Sequence, residues 1–324
     1  MKIKRILAGV CAFALLASVA LSLGSCSTEK KDKYVVGISQ LVTHPALDAA
    51  TEGFKKALTD KLGADKVEFV YQNAANQPDV CATIANGFVS SKVDLIMANG
   101  TAALQAAANA TLDIPILGTS ITEYGVALEI DNFTGTVGGN ISGTSDLAPL
   151  DEQAQMIIDL VPGAKTVGLL YCSAEPNSAY QVAQVKKYLE GKGLTCKDYK
   201  FSDSNDVTLI ATQAANECDA IYIPTDNTAA SSAEIINGAV LPTKTPIIAG
   251  EAGICEGCGI ATLSISYESL GYVTGEMAAK VLTGEEKISE MPIAYDTKPV
   301  KKYNKTICDE LGITVPEEYE ALGE

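Results

Sequence analysis

Polar side chains able to hold a charged small molecule recur in short clusters along this chain. Ser39, Gln40 and His44 follow one apolar run, and Thr101 and Ser120 follow later ones. Asn177-Ser178, Thr225-Asp226-Asn227 and Glu251 do the same in the second half, and Asp146 closes a glycine-rich stretch. A carboxylate needs hydroxyl and N–H donors. An ammonium needs carboxylate or carbonyl acceptors, and hydrogen bonds to charged groups are the stronger kind. The expected assignment gives a ligand carboxylate to Thr101, Ser120 and nearby backbone N–H groups. It gives an ammonium to Asp226, with Asp146 or Glu251 as companion. The same residue types cap helices, so Asp226 and Asn177 read equally well as N-caps, and His44 as a cap or a cleft residue. Tryptophan is absent, so an aromatic platform falls to tyrosine, with Tyr124 and Tyr267 as candidates.

Catalytic constellations are missing. There is no G-x-G-x-x-G, Walker A, G-x-S-x-G or H-E-x-x-H pattern, and one histidine excludes a multi-histidine metal centre. A surface hydrolase is the enzyme alternative. No cofactor and no metal are expected. A formal net charge of −16 argues against nucleic acid, whose phosphates demand Lys and Arg. Of nine cysteines, Cys255 and Cys258 alone form a C-x-x-C. They are expected in a solvent-facing loop without a redox role, with a local disulfide or redox pair as the alternative.

These residues need elements to place them. From Tyr34 on, short β-rich runs alternate with longer amphipathic ones. Strands are expected at 34–38, 67–71, 95–98, 114–117, 166–171, 220–223, 246–249 and 261–265. Leu47, Ala50, Phe54 and Leu58 recur at helical spacing, as do Leu270, Val273, Met277 and Val281 before Gly284. Such alternation predicts an α/β chain of two doubly wound parallel sheets, and the pattern breaks between 123 and 145. Ligands in such sheets sit beyond the carboxyl ends of the strands, which is where the polar clusters fall.

The amino terminus reads as an export signal. Lys2, Lys4 and Arg5 precede an uncharged apolar run from Ile6 to Leu23, which ends in Leu23-Gly24-Ser25-Cys26. That tetrapeptide resembles a bacterial lipobox, which implies cleavage after residue 25 and a lipid on Cys26. Residues 26–33 then read as a flexible tether. Loss of three cations with the leader would take the net charge from −16 to about −19.

Several segments in order resemble the substrate-binding lipoproteins of ABC importers, of the tryptophan/tyrosine-binding type. They include Val36-Gly37-Ile38-Ser39-Gln40, His44-Pro45-Ala46-Leu47-Asp48-Ala49, Gly138-Gly139-Asn140-Ile141-Ser142-Gly143-Thr144-Ser145-Asp146 and Leu169-Leu170-Tyr171. Glu175-Pro176-Asn177-Ser178, Ile223-Pro224-Thr225-Asp226-Asn227, Gly250-Glu251-Ala252-Gly253 and Leu270-Gly271 continue the series. The chain departs from the pattern at Glu123-Tyr124, where the family has Asp-Pro, and at Ser266, where it favours Asp. The resemblance implies a type I periplasmic-binding-protein fold with a three-crossing hinge. The first lobe would comprise 34–145 plus 262–292, and the second 146–261 plus 293–324. It also implies a monomer that captures a small molecule, most simply an aromatic amino acid, and delivers it to an ABC permease in the membrane. Sugar or nucleoside uptake, or a ligand-sensing surface receptor, are the alternatives with the same fold.

Overall fold

The computed structural model describes residues 32–295 and 298–323; the signal segment, Cys26 and most of the tether lie outside them. The first lobe runs β1 (Tyr34–Gln40), α1 (Pro45–Leu62), β2 (Val67–Asn73), α2 (Pro78–Ser91), β3 (Leu95–Asn99), α3 (Thr101–Ala110), β4 (Ile116–Ile121), the single turn α4 (Tyr124–Ala127) and β5 (Ile141–Ser145). The second runs α5 (Leu150–Leu160), β6 (Thr166–Cys172), α6 (Pro176–Gly191), β7 (Thr195–Phe201), α7 (Val207–Glu217), β8 (Ala220–Ile223), α8 (Asn227–Ala230), α9 (Ala233–Val240), β9 (Ile247–Ala249), α10 (Ala252–Cys258) and β10 (Ala261–Ser264). The chain then returns for α11 (Tyr267–Thr283) and β11 (Ala294–Tyr295). It finishes with β12 (Val300–Tyr303), α12 (Lys305–Leu311) and β13 (Glu320–Ala321).

Two sheets result. The first has the order β11-β5-β4-β3-β1-β2 and the second β13-β12-β10-β9-β8-β6-β7. All pairings are parallel except β10 with β12. This is the expected α/β architecture of two doubly wound lobes. β10 pairs in the second sheet through Ser264 and β11 in the first through Tyr295. The crossings therefore follow 145, 264 and 295, the last two a few residues beyond the expected 262 and 293.

The first helix forms as its pattern predicts. Pro45 opens α1, where a missing N–H costs nothing, and Leu47, Ala50, Phe54 and Leu58 are buried. On α11 the expected face is rotated. Val273 is exposed, and the buried line is Leu270, Gly271, Thr274, Gly275 and Ala278. The cause is α1, which packs backbone to backbone against α11 and tolerates only small residues. β5 escapes hydrophobic patterning altogether. Its sequence Ile-Ser-Gly-Thr-Ser is fully buried, and its hydroxyls are satisfied internally. Ser142 donates to Met291 O, and Thr144 meets both Thr119 (3.1 Å) and Thr274 (2.9 Å). β7 and β12 are also absent from the sequence reading; both carry exposed or half-exposed polar residues.

The C-x-x-C does not lie in a solvent-facing loop. Cys255 and Cys258 sit on α10, buried and unpaired, and burial pushes both thiols up. They act as small core residues against Ile254 and Ala249.

Candidate functional site

Between the lobes lies a small chamber into which the polar clusters converge. His44, Ser120, Asp146, Asn177, Thr225, Asp226, Asn227 and Glu251 line it. Leu47, Thr122, Ala230 and Tyr267 complete the wall. A wider groove runs along α5 and α6 past Tyr180, Lys187 and Tyr188. Among the described residues, none of its lining side chains is a buried polar group lacking a partner. In the chamber four side chains have such an atom: Ser120 Oγ, Asp146 Oδ1, Asn177 Oδ1 and His44 Nδ1. Buried polar atoms are almost always paired, so four orphans on residues around one space make it the candidate site for a polar ligand.

Local backbone features aim these groups. Register slips in β4 between Gly118 and Ile121, and Ser120 has φ +55°. A left-handed serine inside a strand is strained, and such strain collects at functional sites. Ser120 thus lies within β4, which runs on to Ile121, and not in a turn after a strand ending at 117. Asp146 sits just past β5, its N–H bonded to Ile121 O. Its Oδ2 accepts from Tyr267 Oη at 3.0 Å. Burial pushes its carboxyl up to about 6; the Thr122 and Tyr267 hydroxyls oppose the rise and the Glu251 charge adds to it. Asn177 follows Pro176 at the start of α6 and turns its Nδ2 toward Thr225 O (3.1 Å) and Glu175 Oε2 (3.3 Å). That polarity leaves Oδ1 for the chamber.

The other acids are already engaged. Asp226 caps α8 through Ala229 N (2.8 Å) and accepts from Cys172 N (2.7 Å). Burial, then the charge of Glu175, push it up to about 8. Glu251 caps α10 through Gly253 and Ile254 N–H groups, and burial raises it despite His44 nearby. Both acids therefore serve as caps with both oxygens engaged, whereas Asp146 keeps one oxygen without a partner.

Four expected site residues stand outside the chamber wall. Gln40 joins Thr51 and Asp48 in a network within the first lobe. Thr101 starts α3, Ser39 is buried in β1, and Ser178 accepts from Asn177 Nδ2. Tyr124 is core rather than platform: its hydroxyl donates to Thr144 O and its ring lies against Phe133. Tyr267 does reach the chamber, through its hydroxyl. The two departures from the family pattern are helix caps, Glu123 for α4 and Ser266 for α11. Glu175, which braces the chamber from behind, was not singled out; its signal was only its place before Pro176 at a helix start.

Comparison with known proteins agrees with this architecture. A family model described as ABC transporter substrate binding protein matches residues 35–322. A tyrosine-binding protein of Clostridioides difficile is 37% identical over 299 residues, covering 89% of this chain and 85% of its own. An ABC domain from Streptococcus pneumonia in complex with L-Trp superimposes with a TM-score of 0.85 at 32% identity, over 89% of this chain and 99% of that one. A ligand-free, open substrate-binding protein with adhesive properties from Clostridium difficile is more similar in sequence, at 38% over the same shares, yet superimposes less well, at 0.68. The lobes thus lie closer to the arrangement of the L-Trp complex than to the open one. A chain with this two-lobed fold, an interlobe chamber and a family match over nearly its whole described length belongs to the ABC transporter substrate-binding proteins.

Proposed function

We propose that the ligand is an L-amino acid with an aromatic side chain, taken up outside the cytoplasmic membrane and passed to an ABC permease. The observation that carries this is the pairing of orphan groups. Asp146 Oδ1 and Asn177 Oδ1 are acceptors for an ammonium. Ser120 Oγ is a donor for a carboxylate, helped by the first N–H groups of α1, whose His44 and Leu47 line the chamber. The relatives that bind tyrosine and L-Trp support the choice of side chain. The chain has no tryptophan, so bound L-tryptophan can be followed by its own fluorescence without protein background. Saturable binding of L-tryptophan or L-tyrosine, with a rise in melting temperature, is the expected result. A thermal shift with sugars or nucleosides and none with amino acids would overturn the reading.

We propose further that a lipid on Cys26 tethers this domain near its permease. Among the described residues no helix is long and apolar enough to cross a membrane. Lys33, at the end of the tether, pairs with Glu68 where β1 begins. Mass spectrometry of the membrane-extracted protein should find a chain that begins at Cys26 and carries a lipid mass; an unlipidated Cys26 would count against the anchor.

A further inference from the structure

The lobes touch through two hydrogen bonds at the first turn of α8. His44 Nε2 lies 3.3 Å from Asn227 Oδ1, and Asn76 Nδ2 donates to Thr228 Oγ1 at 2.9 Å. His44 and Asn76 belong to the first lobe, and Asn227 and Thr228 to the second. Asn76 lies in the turn after β2, where it and Ala75 hold φ of +61° and +51°. The turn is fixed by Asn76 N to Leu41 O and Gln77 N to Ala74 O. Two successive left-handed non-glycine residues are costly, and here they present the Asn76 amide to the other lobe.

Behind the same turn sits Glu175, buried. Its Oε2 accepts from Asn227 N (3.0 Å) and Asn227 Nδ2 (2.8 Å). Its Oε1 accepts from Thr228 N (2.9 Å) and Thr228 Oγ1 (2.7 Å). The polarity of these bonds matters. Because Asn227 gives its Nδ2 to Glu175, its Oδ1 faces His44. Because Thr228 gives its hydroxyl proton to Glu175, its lone pairs face Asn76. Only a group that accepts at every position can set both acceptors this way. Asn227 Oδ1 in turn requires that His44 donate through Nε2, which fixes the ring at the chamber wall.

We infer that Glu175 is a positioning residue for an interlobe latch, in which Asn227 and Thr228 are held as acceptors for His44 and Asn76 and so favour the closed lobes. Neither Glu175 nor Asn76 lines the chamber, whereas His44 and Asn227 do, so Glu175 and Asn76 are the latch positions that can be varied without replacing a wall residue. A bound molecule leaves when the lobes open, so a weakened latch raises the dissociation rate and leaves association little changed.

The test uses Asn76→Ala, Glu175→Gln and the double variant. Glutamine keeps the shape of Glu175 but sets a donor against donors. With L-tryptophan as probe, each single variant should dissociate about fivefold faster, the worth of one hydrogen bond. The double variant should be no faster than the faster single one, since both remove one device. Unchanged dissociation in Asn76→Ala, or effects that simply add, would overturn the latch. So would Glu175→Gln lowering only the melting temperature. A second arm needs no ligand. Small-angle scattering of the ligand-free protein should give a larger radius of gyration for Asn76→Ala and for Glu175→Gln than for the native chain. Radii unchanged in both variants overturn the latch. Larger radii as expected, without L-tryptophan binding to the native protein, would sink the amino-acid reading and leave the latch standing.

Discussion

Asp146→Asn is expected to weaken amino-acid binding by about a hundredfold or more. Removing the charge of one partner in a buried, hydrogen-bonded ion pair costs about 2–5 kcal/mol, and each 1.4 kcal/mol is roughly tenfold. The other acids around the chamber offer no substitute. Asp226 and Glu251 spend both oxygens on backbone N–H groups, whereas Asp146 spends one on Tyr267 and leaves the other open. The fold should not suffer, because the variant removes a charge whose burial is unfavourable. Calorimetry with L-tyrosine, together with a melting curve, separates the two effects. An affinity within about tenfold of the native value would remove Asp146 from the role.

The pH profile adds a second check on the same carboxyl. In the fold it is raised from 3.8 to about 6, mainly by burial. An ammonium beside it favours the charged form, so binding below about 6 must first expel a proton. Affinity should fall as the pH drops through that value, and Asp146→Asn should remove this fall; the titration of Asp226 at about 8 is common to both proteins. The sign for stability is the reverse. A raised carboxyl favours the fold when protonated, so this group costs stability as the pH rises from about 4 to about 6 in the free protein.

Gly271→Ala is expected to destabilise the protein by about 3 kcal/mol, at the upper end for overpacking a tight core. A Cβ at Gly271 would meet Ala50 O at 1.9 Å, and one at Gly53 would meet Glu268 O at 2.1 Å. These are backbone atoms of facing helices, which no rotamer change can move aside. The helices must part, and α1 carries Leu47 and follows directly on His44 while α11 carries Tyr267, so binding should weaken along with stability. Urea denaturation reads the first effect. A midpoint matching the native protein would show that α1 and α11 tolerate the separation.

The α/β alternation was legible because buried parallel strands are continuous apolar runs flanked by amphipathic helices. β1, β3, β6 and β8 all show this. β5 was not legible, because its buried face is made of hydroxyls whose partners are distant in sequence, across the sheet, on α11 and at Met291. Most of the chamber wall was legible, since polar residues just past buried strands have few other reasons to be there. The roles within it were not. Asp146 and Asp226 are the same residue type at similar places, and only the third dimension shows that one has its lone pairs filled by Cys172 and Ala229 and the other does not. Ser120 reads in the sequence as a turn residue, whereas a strained bulge within β4 places it at the chamber wall.

The Asp146–Tyr267 hydrogen bond joins residues at two of the three places where the chain passes between lobes. On the role proposed for Asp146, specificity and hinge mechanics share the same atoms. Anyone redesigning the pocket for another solute would do best to keep that pair and vary Leu47 and Ala230. Those two line the cavity and have no side-chain polar group to engage the pivot.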